Sequence, residues 1–270
     1  MVKDNVQLWG TAVSPGMAMG PAFVYHDVLE PHRRREKIQP GEVDRELERL
    51  EQALDTTAEE LKRSAERVAQ TISRSLADIF RAHREMIMDP VLRGELKEQI
   101  QQERAAAESA VGTVLDRWED ELRDWEGADF AGLGEDVSDL QRRILKALQG
   151  IQLHGLEAMP EGSVLVAHRL LPSDAVFFTT RRPAAVIVES GSPASHCALM
   201  GREMGIPGVV QLPGIVDRVD EESLILVDGL RGHVVVEPDK KARRTFERER
   251  AQYTATLEEA RKHTRAAAVT

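Results

Sequence analysis

Val43, Leu47, Leu50, Leu54, Leu61, Ala65 and Val68 recur at spacings of three, four or seven residues. Such a stripe fits one side of a long helix, close to the heptad period of paired helices. Pro40-Gly41 and the early acids Glu42 and Asp44 mark its start. Further segments of helical character run over about 73–88, 91–104, 106–126 and 134–148. Asp89-Pro90 breaks the first two, and the glycines around 127–134 separate the last two. Short connections favour antiparallel neighbours, so the pattern predicts a helical bundle.

The pattern changes after about residue 161. "SVLVA", "AAVIVE", "PGVVQL", "SLILVD" and "HVVVEP" are short β-branched runs between turns, as in an α/β or mixed β domain. The first 31 residues are short and mixed; Ala22 to Tyr25 reads as a strand. That strand is separated from its sheet by all the helices. A helical domain is therefore expected inside an α/β domain whose two pieces flank it. The tail from Lys240 to about Arg265 reads as one charged helix with a thin apolar stripe, more a connector than a core helix.

Composition narrows the class. With 270 residues, 41% hydrophobic and 30% charged, a folded core is expected. The net charge of −10 argues against a nucleic-acid binder, which shows a basic face. The single cysteine, Cys197, excludes an intramolecular disulfide and a cysteine-based zinc site. No segment is apolar enough for a membrane span or a signal peptide, so a cytoplasmic protein is expected.

The candidate chemistry sits in "VIVESGSPASHCALMGREMGIPGVV", Val186 to Val210. A strand gives way to a turn of small residues and then to His196 at a helix start. A histidine there is more often a surface or capping residue. Three features favour chemistry. Gly191, Ser192, Ala194 and Ser195 leave room for a large partner. The free N–H groups and positive dipole end of the helix face an anion beside the ring. Ser195 adds a hydroxyl. A neutral imidazole beside an anion hole suits phosphoryl pick-up at nitrogen. No Walker-type glycine loop is present.

Gly191, Ser195-His196, Leu199-Met200, Arg202 and Ile206-Pro207 resemble the phosphohistidine segment of phosphoenolpyruvate-utilising enzymes. Three further stretches resemble the Enzyme I branch of the bacterial phosphotransferase system. They are "GTAVSPGMAMGPAF", "IFRAHREMIMDP" (Ile79 to Pro90) and "DVSDLQRRILKALQG" (Asp136 to Gly150). The resemblance implies an α/β phosphohistidine (swivelling) domain over 1–31 and 150–239. An all-α helical-bundle domain over 32–149 is inserted into it, and a linker helix follows over 240–270. His196 is then the phosphoryl acceptor, reacting through Nε2, with Gly191, Ser192 and Ser195 positioning phosphate. Asp78, Ile79, Ala82, His83 and Met86 are implied to meet the carrier HPr or an HPr paralogue. By helical spacing Ile79 and Met86 read equally as bundle core. The parent enzyme's barrel, which binds phosphoenolpyruvate and Mg²⁺ and forms the homodimer, has no room here. An N-terminal fragment, monomeric and with no cofactor or metal of its own, is expected.

The sequence departs from the family pattern at several places. Pro193 and Ala194 stand where the turn usually has arginine and threonine, so backbone N–H groups and Ser192 or Ser195 must hold phosphate. Leu171 replaces a threonine able to bond the active histidine, and Ser138 replaces an arginine of the carrier interface. The alternatives are a non-catalytic regulatory or carrier-binding module, and the Enzyme I-like domain of a dihydroxyacetone kinase phosphotransfer subunit.

Overall fold

The structure is a computed structural model that describes residues 5–26, 37–123, 131–151 and 155–267. The arginine run at 32–36 and residues 127–130 of the expected connection lie outside the described residues.

Among the described residues five helices form the bundle: α1 (Val43–Thr71), α2 (Arg74–Met88), α3 (Pro90–Glu103), α4 (Ala107–Arg123) and α5 (Ala131–Gln149). The stripe of α1 is its buried face, with Leu50, Leu54, Leu61 and Val68 fully enclosed. Each such side chain contributes about 1.5–3 kcal/mol by leaving water. Val43 and Leu47 lie at the edge of this core, half-buried. Asp89 ends α2 and caps α3, its carboxylate accepting from the N–H of Val91 at 2.7 Å, with Pro90 in the first turn.

The second body is an eight-stranded mixed sheet. Its strands are β1 (Val6–Trp9), β2 (Thr11–Ser14), β3 (Met17–Tyr25), β4 (Val164–Ala167), β5 (Ala185–Val188), β6 (Gly208–Val210), β7 (Leu224–Asp228) and β8 (His233–Val236). The order is β1-β8-β7-β3-β4-β5-β6-β2. The runs β3-β4-β5-β6 are parallel and the remaining pairs antiparallel. Strands β1 and β2 lie at opposite ends of that order, yet only Gly10 separates them in the chain. The sheet therefore curls until its two ends meet. Gly10 is the corner: a Cβ there would stand 2.5 Å from the carbonyl oxygen of Val210.

The curled sheet is filled inside by Val24, Val164, Val166, Ile187, Val209, Ile225 and Val227. On the outer side Leu165, Ala167, Val186 and Val188 join the core that runs on into the bundle. Alternate residues of β4 and β5 thus serve two cores, which explains their unbroken apolar runs. Helices α6 (Pro172–Ala175) and α7 (His196–Met204) lie in the crossovers β4-to-β5 and β5-to-β6. The last helix, α8 (Lys240–Ala267), is more than a connector at its start, because Phe246 is buried against Leu226 and Val235. No helix among the described residues is long and apolar enough to cross a membrane.

Candidate functional site

His196 is the first residue of α7, just beyond the carboxyl end of the parallel strand β5. Parallel α/β sheets place their ligand sites at this end. Ser195 is the N-cap, its hydroxyl oxygen accepting from the N–H of Ala198 at 3.3 Å. Ser192 accepts from the N–H of Ala194 at 3.1 Å. Each hydroxyl accepts one bond and keeps its own hydrogen to donate. Gly191 holds φ at 135°, a backbone form that L side chains rarely adopt, and sits between β5 and the capped turn. Arg202 reaches back from α7 and donates to the carbonyl of Pro193, which ties the turn to the helix.

The ring of His196 is about four-fifths covered, with 21% of the side chain exposed. Its Nδ1 is buried 3.1 Å from Oδ1 of Asp136 on α5. The two are in ion-pair contact, but the N–H does not point straight at the oxygen, so no regular hydrogen bond forms. Nε2 is left as the reachable nitrogen and has no hydrogen-bond partner among the described residues. The Asp136 carboxylate raises the His196 pKa above its ordinary value; burial opposes this, and the charges of Glu135 and Asp139 add to it.

Asp136 bridges two histidines. Its Oδ1 also lies 2.9 Å from Nε2 of His83 on α2. Burial pushes the Asp136 carboxyl up, but His196 and His83 outweigh it and hold the group below its ordinary value. Behind it Nδ1 of His83 stands 3.7 Å from Oδ2 of Asp139, too far for a hydrogen bond. Asp139 is fully enclosed and meets Arg143 at 3.1 Å and the backbone N–H of Ser173 at 3.3 Å. Burial pushes Asp139 up as well, and Arg143 and Arg142 bring it below the carboxylate range. Arg142 then reaches Asp174 at 2.8 Å, and the Tyr25 hydroxyl donates to Asp174 at 3.2 Å. One buried polar chain therefore links the bundle to the sheet and ends at His196. Burial raises the neighbouring Glu135, the charge of His196 opposes this, and Oε2 of Glu135 is enclosed without a partner among the described residues.

Of the expected carrier-contact residues, Asp78 and Ala82 are exposed on α2, and Ile79 and Met86 are half-buried against the core. His83 points the other way, only 1% exposed, into the polar chain. Leu171 is buried, and its carbonyl accepts from the Cys197 thiol at 3.2 Å. Burial pushes that thiol well above its ordinary pKa, so Cys197 stays a protonated spacer. Glu189 does not address the His196 ring; it meets His168 at 2.6 Å and the N–H of Val216 at 2.9 Å. The sequence reading assigned no role to Asp136, Asp139, Arg142 or Arg143. Their only local signal was charge at helical spacing, between Val137, Leu140 and Ile144 of the core. Among the described residues no group of three or more His, Cys, Asp and Glu side chains is placed to hold a metal ion.

The family model described as "PEP-utilising enzyme, N-terminal" matches residues 9–131, and that described as "PEP-utilising enzyme, mobile domain" matches residues 159–232. A solved structure, "NMR solution structure of Enzyme I (nEIt) protein", is 30% identical, with a TM-score of 0.75 over 92% of this chain and 99% of that one. The chain belongs to the Enzyme I family. A second Enzyme I structure, "N-terminal domain of Enzyme 1 - Nitrogen", is 25% identical with a TM-score of 0.57, covering 89% of this chain and 98% of that one. The phosphoenolpyruvate-protein phosphotransferase of Enterococcus faecalis is 31% identical over 91% of this chain and 42% of its own length. That of Geobacillus stearothermophilus is 29% identical over 97% of this chain and 45% of its own. The chain thus spans less than half the length of these two phosphotransferases.

Proposed function

We propose that this Enzyme I chain is a phosphoryl relay in which Nε2 of His196 accepts a phosphoryl group and passes it to a histidine of an HPr-like carrier. The observation that carries the reading is the ring's orientation, with Nδ1 buried at 3.1 Å from Asp136 and Nε2 reachable. A proton held on Nδ1 leaves the lone pair on Nε2. That lone pair forms the N–P bond as the bond from phosphorus to the donor breaks. The departing nitrogen of a carrier histidine keeps the electron pair and takes a proton from solvent; transfer to the carrier is the reverse. Such a step needs positioning and charge stabilisation. The N–H groups of His196 and Cys197 open α7 with no hydrogen-bond partner among the described residues, so they are available to phosphoryl oxygens. Gly191 keeps the turn open, and the hydroxyls of Ser192 and Ser195 add donors where Pro193 and Ala194 offer none.

On this reading the carrier meets the exposed side of α2 around Asp78 and Ala82. Met88 and Val91, exposed apolar residues where α2 gives way to α3, extend the surface. His83 acts from the inside, through Asp136. Phosphoenolpyruvate, Mg²⁺ and dimer formation are assigned to the part of the relatives that this chain does not cover. Nitrogen-15 NMR of the imidazole ring after exchange with a phosphorylated HPr-type carrier tests the assignment. Phosphorus on Nε2 with the proton on Nδ1 is expected. Phosphorus on Nδ1, or on a residue other than His196, would overturn it.

A further inference from the structure

A groove of about 590 Å³ runs between α1, α5 and the turn after α6. His196 is not part of its lining. Six cationic side chains face it: Arg49, Arg63 and Arg67 from α1, and Arg142, Arg143 and Lys146 from α5. Glu60 is the only acidic residue among those that line it. This concentration of positive charge stands in a chain of net charge −10.

The cations fall into two groups. Arg49 is held by Glu46 at 2.8 Å and Glu108 at 2.5 Å, and Arg143 by Asp139 at 3.1 Å. Arg142 is held by Asp174 at 2.8 Å. None of these acids lines the groove, so they fix the guanidinium groups from behind. Arg63 and Arg67 are different. They are exposed, one helical turn apart, and have no acidic partner among the described residues. Like charges at that spacing cost a few tenths of a kcal/mol on a helix. Lys146 in the last turn of α5 suits the helix dipole; Arg63 and Arg67 lie just before the last turn of α1, where Glu59, four residues before Arg63, offsets part of the cost without forming an ion pair.

We propose that this groove binds a small molecule carrying two or more phosphoryl groups. The volume lies within the range of small-ligand sites. Guanidinium groups recognise phosphate through paired N–H donors, and four of the six cations are already fixed or partly fixed by neighbours. Phe177 and Ile151 form an apolar part of the wall, which suits an organic group attached to the phosphates. The assignment does not depend on the phosphoryl relay at His196.

The test is calorimetric titration of the purified chain with inorganic tripolyphosphate and, separately, with ADP, at low and high salt. Saturable binding of either is expected, weakening as salt rises; the comparison shows whether the organic group contributes. Arg63→Gln/Arg67→Gln should bind at least about tenfold more weakly. Thr56→Glu, which adds a carboxylate to the groove from an exposed helix position, should do the same. His196→Ala should bind as the parent chain does. No binding of either probe at millimolar concentration, unchanged affinity in both groove variants, or equally tight binding of citrate would overturn the proposal.

Discussion

Nδ1 of His196 on α7 and Oδ1 of Asp136 on α5 stand 3.1 Å apart, across the boundary between sheet and bundle. The contact joins residues 60 positions apart in the chain. It decides which ring nitrogen is free, and it ties the chemistry of the α/β body to the helical one.

The first consequence is a pH dependence. The Asp136 carboxylate raises the folded-state pKa of His196. The stabilising contribution of the pair is therefore fully present below the ordinary imidazole value and fades as pH climbs through the raised folded value. On the proposed relay, nucleophilic transfer runs the opposite way, because Nε2 would attack only after losing its proton. The transfer rate should rise as pH passes through the raised value. In Asp136→Asn both midpoints should move down, and transfer at the plateau should fall on the order of 10²-fold from lost orientation. NMR titration of the ring and single-turnover exchange with a phosphorylated carrier measure the two. An unmoved midpoint would remove Asp136 from the site.

A second consequence concerns His83. Its Nε2 lies 2.9 Å from a buried carboxylate, and the ring is enclosed. His83→Ala leaves Asp136 short of a donor, and should cost about 1–3 kcal/mol. His83→Gln, which keeps an N–H donor, should lose less. Thermal unfolding ranks the two. Equal stability of both variants and the parent would mean that the polar chain contributes nothing to the fold.

Much of the architecture was legible before the fold was known, for identifiable reasons. The stripe from Val43 to Val68 repeats over most of α1, long enough to be unambiguous. β4 and β5 are β-branched because both faces are buried. β1 and β2 leave little trace in the sequence: each has four residues, mostly half-buried or exposed, so neither shows an apolar run. His196 could be picked out because small residues and a helix start surround it locally. Asp136 could not, since its meaning depends on packing α5 against α7. Leu171 offers no hydroxyl, and the group that stands at Nδ1 of His196 is a carboxylate from the bundle.

The closure of the sheet makes a third prediction. Gly10→Ala would place a methyl group 2.5 Å from the Val210 oxygen and 2.8 Å from Leu212. The corner between β1 and β2 would have to shift, at a cost of about 1–3 kcal/mol. For a domain near this size each kcal/mol lowers Tm by about 2–4 °C. Calorimetry that finds no drop would contradict a tight corner at Gly10.

On the proposed relay, His196 carries the phosphoryl group. Its most direct test is the intact mass of the chain after mixing with phosphorylated HPr-type carriers, run beside His196→Ala. The expected result is a gain of one phosphoryl group by the parent chain and none by the variant. A parent chain that binds a carrier yet gains no mass, or a variant that gains it equally, would contradict the account.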